Sequence, residues 1–336
     1  MIESVKTAQS EALPGLEAIR QAGTLVYAVM PATPQYSWPL LNQRTRAEVW
    51  VKHENHTPVG AFKIRGGLIY MDWLKRTQSQ IHTVISATRG NHGQSVAFAA
   101  SRFGLRAVLV VPRGNSREKN LAMRALGAEL IEFGDDFQAA SEHAMKLAAE
   151  NGWHRIPTYD RRLVEGVATY ALEFLTACPW LDTVYVPIGM GSGISAMIAV
   201  RDGLGLTTKI VGVLSAHAQA TALSLAAGRV VEAPATTAIA DGVACRRPDE
   251  VALAVMEAGM ERIVSVTDTE VEQAMRVCFA DTHQVAEGGG AVGLAALLQD
   301  RQQGRTALGS RLGVVLSGGN VDSEVFARIL GSGGAD

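Results

Sequence analysis

Cysteine occurs only three times in 336 residues, at Cys178, Cys245 and Cys278, far apart and with no C-x-x-C pair. An odd, scattered set builds no disulfide framework and points to a reducing compartment, so the chain reads as cytoplasmic. Long apolar runs are missing too: none approaches the roughly 18 residues of a membrane span, and the N-terminus MIESVKTAQSEALPGLEAIR has no basic segment followed by an apolar stretch. Neither a membrane partner nor a secretory signal is expected. No charge of one sign dominates: Lys+Arg 31 against Asp+Glu 33 gives a formal net charge of −2, with no general attraction for nucleic acid. The eight histidines form no H-x-x-x-H or H-E-x-x-H pair and do not cluster with the cysteines, so no metal site is predicted. What the sequence does have is apolar bulk, 47% hydrophobic against 19% charged, enough for about two domains at roughly 150 residues each.

From residue 82 onward, short β-branched runs alternate with longer segments of helical period. The runs are 82–87, 105–111, 128–133, 183–188, 209–216 and 312–317, and between them lie segments such as NHGQSVAFAASRFG and LVEGVATYALEFLTA. Gly104, Gly127 and Gly152 fall where helix C-caps belong. This alternation predicts an α/β protein with mainly parallel sheets. The expected division places a compact unit at 80–158 inside a larger domain formed by 1–79 and 159–332, with 333–336 a flexible tail. Ligands of such folds bind beyond the carboxyl ends of the strands, so chemistry is sought in the strand-to-helix turns.

Four turns stand out there: TRGNHG (88–93), GMGSG (189–193), EGGGAVG (287–293) and SGGN (317–320). GMGSG lies between a strand and a helix, where converging backbone N–H groups suit a phosphate; otherwise it is a tight turn that needs glycine for its dihedrals. Its G-x-G-x-G spacing, with no acidic residue ending the next strand, suits a phosphate monoester better than a dinucleotide. In HENHTPVGAFKIRGG, Lys63 opens a helix among small and apolar neighbours. A desolvated lysine there can form a Schiff base with a carbonyl; the alternative is a solvated surface lysine. TRGNHG offers N–H groups and Asn91 to a carboxylate, or is a helix cap with His92 a polar core residue. Ser317 either faces a ligand or is a serine N-cap.

Taken in order, HENHTPVGAFKIRGG, SATRGNHGQSVAFAA, VPIGMGSG, IADGVACRRP and VVLSGGNVD resemble the serine/threonine dehydratase (threonine ammonia-lyase) family of pyridoxal-phosphate enzymes, fold type II. The resemblance implies two open α/β domains in a tryptophan synthase β-like arrangement, with pyridoxal 5'-phosphate between them. It makes Lys63 the cofactor lysine, Phe62 the residue packed beside the ring, and Asn91 the partner of the phenolic oxygen. Gly189, Met190, Gly191, Ser192 and Gly193 become the phosphate loop, Ser317 the partner of the pyridine nitrogen, and Thr88, Arg89, Gly90, Asn91 and His92 the substrate loop. The implied reaction removes the β-hydroxyl of a threonine- or serine-type amino acid, giving a 2-oxo acid and ammonia.

Three departures from the family pattern matter. Met190 and Ser192 stand where the phosphate loop has glycine. Arg89 replaces the serine that racemases use on the far face of the substrate, so racemisation is not expected. After Gly212 and Val213 come Leu214, Ser215, Ala216 and His217, without the carboxylates of the family's divalent-cation site, and no metal is predicted there. The sequence leaves open a lyase for a larger 3-hydroxy amino acid, such as 3-hydroxyaspartate or phenylserine, and a non-catalytic α/β ligand-binding protein. A homodimer is the expected assembly. The chain ends soon after SGGNVD, so no appended amino-acid-sensing domain is expected.

Overall fold

Strands such as RAVLVV and KIVGVLS carry apolar side chains on both faces, which only a sheet covered on both sides can bury. A computed structural model, which describes residues 13–332, shows two such sheets. Most of the N-terminal stretch searched for a signal, and the tail 333–336, lie outside the described residues. The strands are β1 (Gln35–Ser37), β2 (Glu48–His53), β3 (Thr83–Ala87), β4 (Arg106–Val111), β5 (Glu129–Glu132), β6 (His154–Arg155), β7 (Thr183–Pro187), β8 (Lys209–Ser215), β9 (Arg262–Val266) and β10 (Arg311–Leu316). A six-stranded sheet runs β1-β2-β10-β7-β8-β9, and a four-stranded sheet runs β5-β4-β3-β6. Every pairing is parallel except β1 with β2.

Alternate residues of one strand feed opposite cores. Tyr185, Val211 and Val314 face the helices Asp268–Thr282 and Gly288–Gln302, whereas Val184, Val186 and Ile210 face Arg161–Ala177 and Ser192–Gly203. The four-stranded sheet does the same with Val84 and Leu109 on one side and Ile85 and Val108 on the other. Its first core also takes in residues from 22–30 and 64–74, upstream of the segment 80–158.

All six expected strands form. β1, β2, β6 and β9 carry weaker signals: β6 has two residues, and EVWVKH in β2 interleaves charge with its apolar positions. Gly104, Gly127 and Gly152 follow helix ends at φ +67°, +87° and +64°, as expected. EGGGAVG is a correction: it is no turn, for Gly288 to Gly293 form the first turns of the buried helix Gly288–Gln302. A Cβ at Gly288 would collide with the Ile239 carbonyl, and one at Gly290 with that of Gly318. These glycines admit a neighbouring backbone.

Strand order also positions the ligand crevice. In the larger sheet the connections diverge around β7 and β10, and in the smaller around β3, so both topological switch points open at the carboxyl ends of those strands. The turns after them are GMGSG, SGGN and TRGNHG.

Candidate active site

Lys63 is the first residue of the helix Lys63–Thr77. The preceding loop is tied to β10, since Phe62 N–H donates to the Ser317 carbonyl at 3.1 Å. Two residues further on, the buried Arg65 guanidinium donates to Glu54 at 2.8 Å and to Glu173 at 2.6 Å. With the helix start held on both sides, Lys63 Nζ lies 3.2 Å from Ser192 Oγ and 4.8 Å from the Phe62 ring centroid. The residue keeps some surface in the cleft, yet desolvation of its amine, with no carboxylate beside it to oppose the effect, lowers the pKa to about 8. That is the state of a nucleophile or base rather than of a surface lysine.

Ser192 belongs to the turn that follows β7. Gly191 adopts φ +100°, and the helix Ser192–Gly203 begins immediately after it. The first helical bond of that turn is Ser195 N–H to the Gly191 carbonyl at 2.9 Å, and among the described residues the N–H groups of Gly189 through Ile194 have no acceptor. Open donors at a helix N-terminus make an anion cradle. Met190 does not spoil it, because the donors are backbone groups; its sulfur rests 3.7 Å from Cys245 Sγ.

The turn after β3 is built differently. Thr88 is buried, and its hydroxyl accepts from the N–H groups of Gly90 at 3.0 Å and Gly93 at 2.9 Å, so it shapes the turn. The N–H groups of Asn91 and His92 are left without an acceptor among the described residues, at the start of the helix Asn91–Arg102. His92 shares a hydrogen bond with Ser86 Oγ at 3.1 Å, and burial, with Lys63 nearby, pushes its pKa down to about 3. It is a neutral, structurally engaged imidazole. Asn91 Nδ2 donates to Glu287, while its Oδ1 accepts from Asn320 Nδ2 at 2.9 Å.

Glu287 leads to residues that the sequence reading did not place in the site. Lys119, buried on the helix Arg117–Ala125, stands 2.7 Å from Asp241 and 2.8 Å from Glu287 Oε2, the second an ion contact rather than an aligned hydrogen bond. Burial opposes the Lys119 charge, but Glu287 and Asp241 together hold its ammonium above the ordinary lysine range; burial also raises the carboxyl of Glu287. The blocks IADGV and EGGG contain both acids, yet nothing in their spacing says that a lysine more than a hundred residues upstream pairs with them.

All the predicted site residues, from Phe62 to Ser317, line one cleft with about 970 Å³ of empty space. Ser317 is buried there, its Oγ 3.4 Å from the Gly289 carbonyl. Among the described residues no group of His, Cys, Asp or Glu side chains could hold a metal ion, and no helix is long and apolar enough to cross a membrane.

An amine, a phosphate-type cradle and a neutral hydroxyl thus share one cleft at two switch points. Residues 29–318 match the family described as "Pyridoxal-phosphate dependent enzyme". The chain belongs to that family. An L-threonine ammonia-lyase of Thermotoga maritima is 31% identical over 95% of this chain and 78% of its own length. The biosynthetic L-threonine dehydratase of Salmonella typhimurium is 34% identical over 88% of this chain but only 58% of its own length, so the chain spans less than two thirds of that relative. The processed form of threonine deaminase isoform 2 from Solanum lycopersicum superposes with a TM-score of 0.86 at 26% identity, covering 96% of both chains. These relatives place the pyridoxal-phosphate enzyme in the threonine dehydratase group, with its fold type II architecture. The donor set fits the cofactor: open N–H groups for a phosphate, one desolvated amine for an aldehyde, and a neutral hydroxyl for a ring nitrogen.

Proposed function

We propose that the protein is an ammonia-lyase that removes the β-hydroxyl of a threonine- or serine-type amino acid and releases a 2-oxo acid and ammonia. The observation that carries this reading is the Lys63 amine, with its pKa lowered to about 8, beside an N–H cradle in a cleft that also holds Ser317. In this reading the amides of Gly189 through Ile194 hold the cofactor phosphate, Asn91 bonds the phenolic oxygen, and Lys63 binds the aldehyde. Bound there, pyridoxal phosphate supplies a conjugated ring that withdraws electrons from the substrate Cα. The N–H groups of Asn91 and His92 take the α-carboxylate. The Lys63 amine would remove the Cα proton, the β-hydroxyl would gain a proton and leave as water, and uptake of one water by the released enamine would give the 2-oxo acid and ammonia.

Two residues favour elimination over competing outcomes. Ser317 carries no charge, so it leaves a ring nitrogen largely unprotonated and weakens the electron sink, which suits prompt loss of a β-leaving group. Arg89 stands where a racemase has its far-face serine, and a guanidinium carries no hydroxyl to act as that acid/base. A cytoplasmic setting agrees with the three free cysteines. Incubating the purified holoenzyme with L-threonine and L-serine should release 2-oxobutanoate or pyruvate and ammonia in equal amounts. Racemised amino acid without oxo acid would contradict the reading.

A further inference from the structure

Arg89 has no binding task among those assigned so far. It sits half-buried between Thr88 and Gly90 and lines the cleft. Among the described residues its guanidinium has no carboxylate or other acceptor, whereas three nearby cations are engaged, Lys119 with Asp241 and Glu287, Arg246 with Asp136 at 2.6 Å, and Arg247 with Glu232 at 2.9 Å. The anions of the proposed reaction have other partners, the phosphate on the turn after β7 and the α-carboxylate on the helix start at Asn91. Arg89 therefore contributes one unmatched positive charge.

A second cavity of about 1010 Å³ adjoins the cleft and shares Arg89, Phe137, Thr158, Met190, Ala244 and Cys245 with it. Arg89 thus stands at the junction of the two cavities. The other shared residues are apolar apart from Thr158, so an anionic group arriving there has one strong donor. A guanidinium grips a carboxylate through two parallel N–H bonds.

We propose that Arg89 binds a second carboxylate on the substrate, and that the preferred substrate is a 3-hydroxy amino acid with an acidic side chain. The proposal rests on the ammonia-lyase reading and narrows its substrate class. It is tested with wild type, Arg89→Ala and Arg89→Lys holoenzymes in two assays, kcat/KM for 3-hydroxyaspartate and threonine, and calorimetric binding of malate against 2-hydroxybutyrate. Wild type should favour 3-hydroxyaspartate, and Arg89→Ala should lose about 30-fold more on it than on threonine, chiefly through KM, with Arg89→Lys intermediate. Malate should bind more tightly than 2-hydroxybutyrate in wild type and lose that advantage in Arg89→Ala. Equal losses on both substrates would assign Arg89 to the α-carboxylate and overturn the proposal, as would unaltered kinetics with unaltered malate binding. If no amino acid is turned over yet malate binding still depends on Arg89, the lyase reading falls and the second-carboxylate site stands.

Discussion

Replacing Lys63 with methionine should make the apoprotein more stable while abolishing its chemistry. Bringing the amine from a pKa of 10.5 to about 8 costs the fold about 3 kcal/mol wherever both states would otherwise be protonated. Below pH 8 that cost is fully present. Between about pH 8 and pH 10.5 the folded amine is already neutral while the unfolded one still binds a proton, so the cost fades as pH rises. Methionine keeps most of the alkyl stem and removes the charge. Unfolding free energies from urea titration of the two apoproteins should therefore differ by about 3 kcal/mol in favour of Lys63→Met at pH 7, with the gap shrinking towards pH 10.5. A variant no more stable than wild type at pH 7, or a gap that ignores pH, would show that the amine is not desolvated and would remove the physical reason for calling it reactive.

Three further outcomes follow from the same geometry. Gly191→Ala adds a Cβ that meets Ala252 at 2.9 Å in a φ +100° conformation, so titration of the apoprotein should show cofactor affinity falling about tenfold or more, against little change for Met190→Gly. Ser317→Asp should protonate the ring nitrogen and raise the share of transamination among the products, read by chromatography of the amino and oxo acids. Lys119→Met leaves Asp241 and Glu287 facing each other unpaired and should destabilise the protein by about 3–5 kcal/mol in urea unfolding. Adding Asp241→Asn and Glu287→Gln to that variant should recover most of the loss.

The strands and turns that carry the chemistry are legible in the sequence because they obey local rules. HTVISA and KIVGVLSA announce themselves by β-branched runs, and Lys63, Asn91, Gly191 and Ser317 each sit in a turn next to such a run or at a helix start. What is not legible depends on packing between distant segments. Lys119 looks like any charged residue of a surface helix until the fold brings it against Asp241 and Glu287. The glycines of EGGG read as a turn because local sequence does not reveal that the backbones at Ile239 and Gly318 press against that helix. Thr88 shows a subtler limit: either a ligand contact or a cap was consistent with its position, and the two N–H groups its hydroxyl accepts reveal its part in shaping the turn.

The central claim is that Lys63 is the residue that bonds the cofactor. Borohydride reduction of the protein loaded with pyridoxal phosphate fixes the cofactor irreversibly to whichever amine holds it, and tryptic mapping then locates the label. The expected result is one modified peptide, His53–Arg65, uncleaved after Lys63, with no label in Lys63→Met. Cofactor on any other lysine, or no reducible adduct in the wild-type protein, would contradict the account.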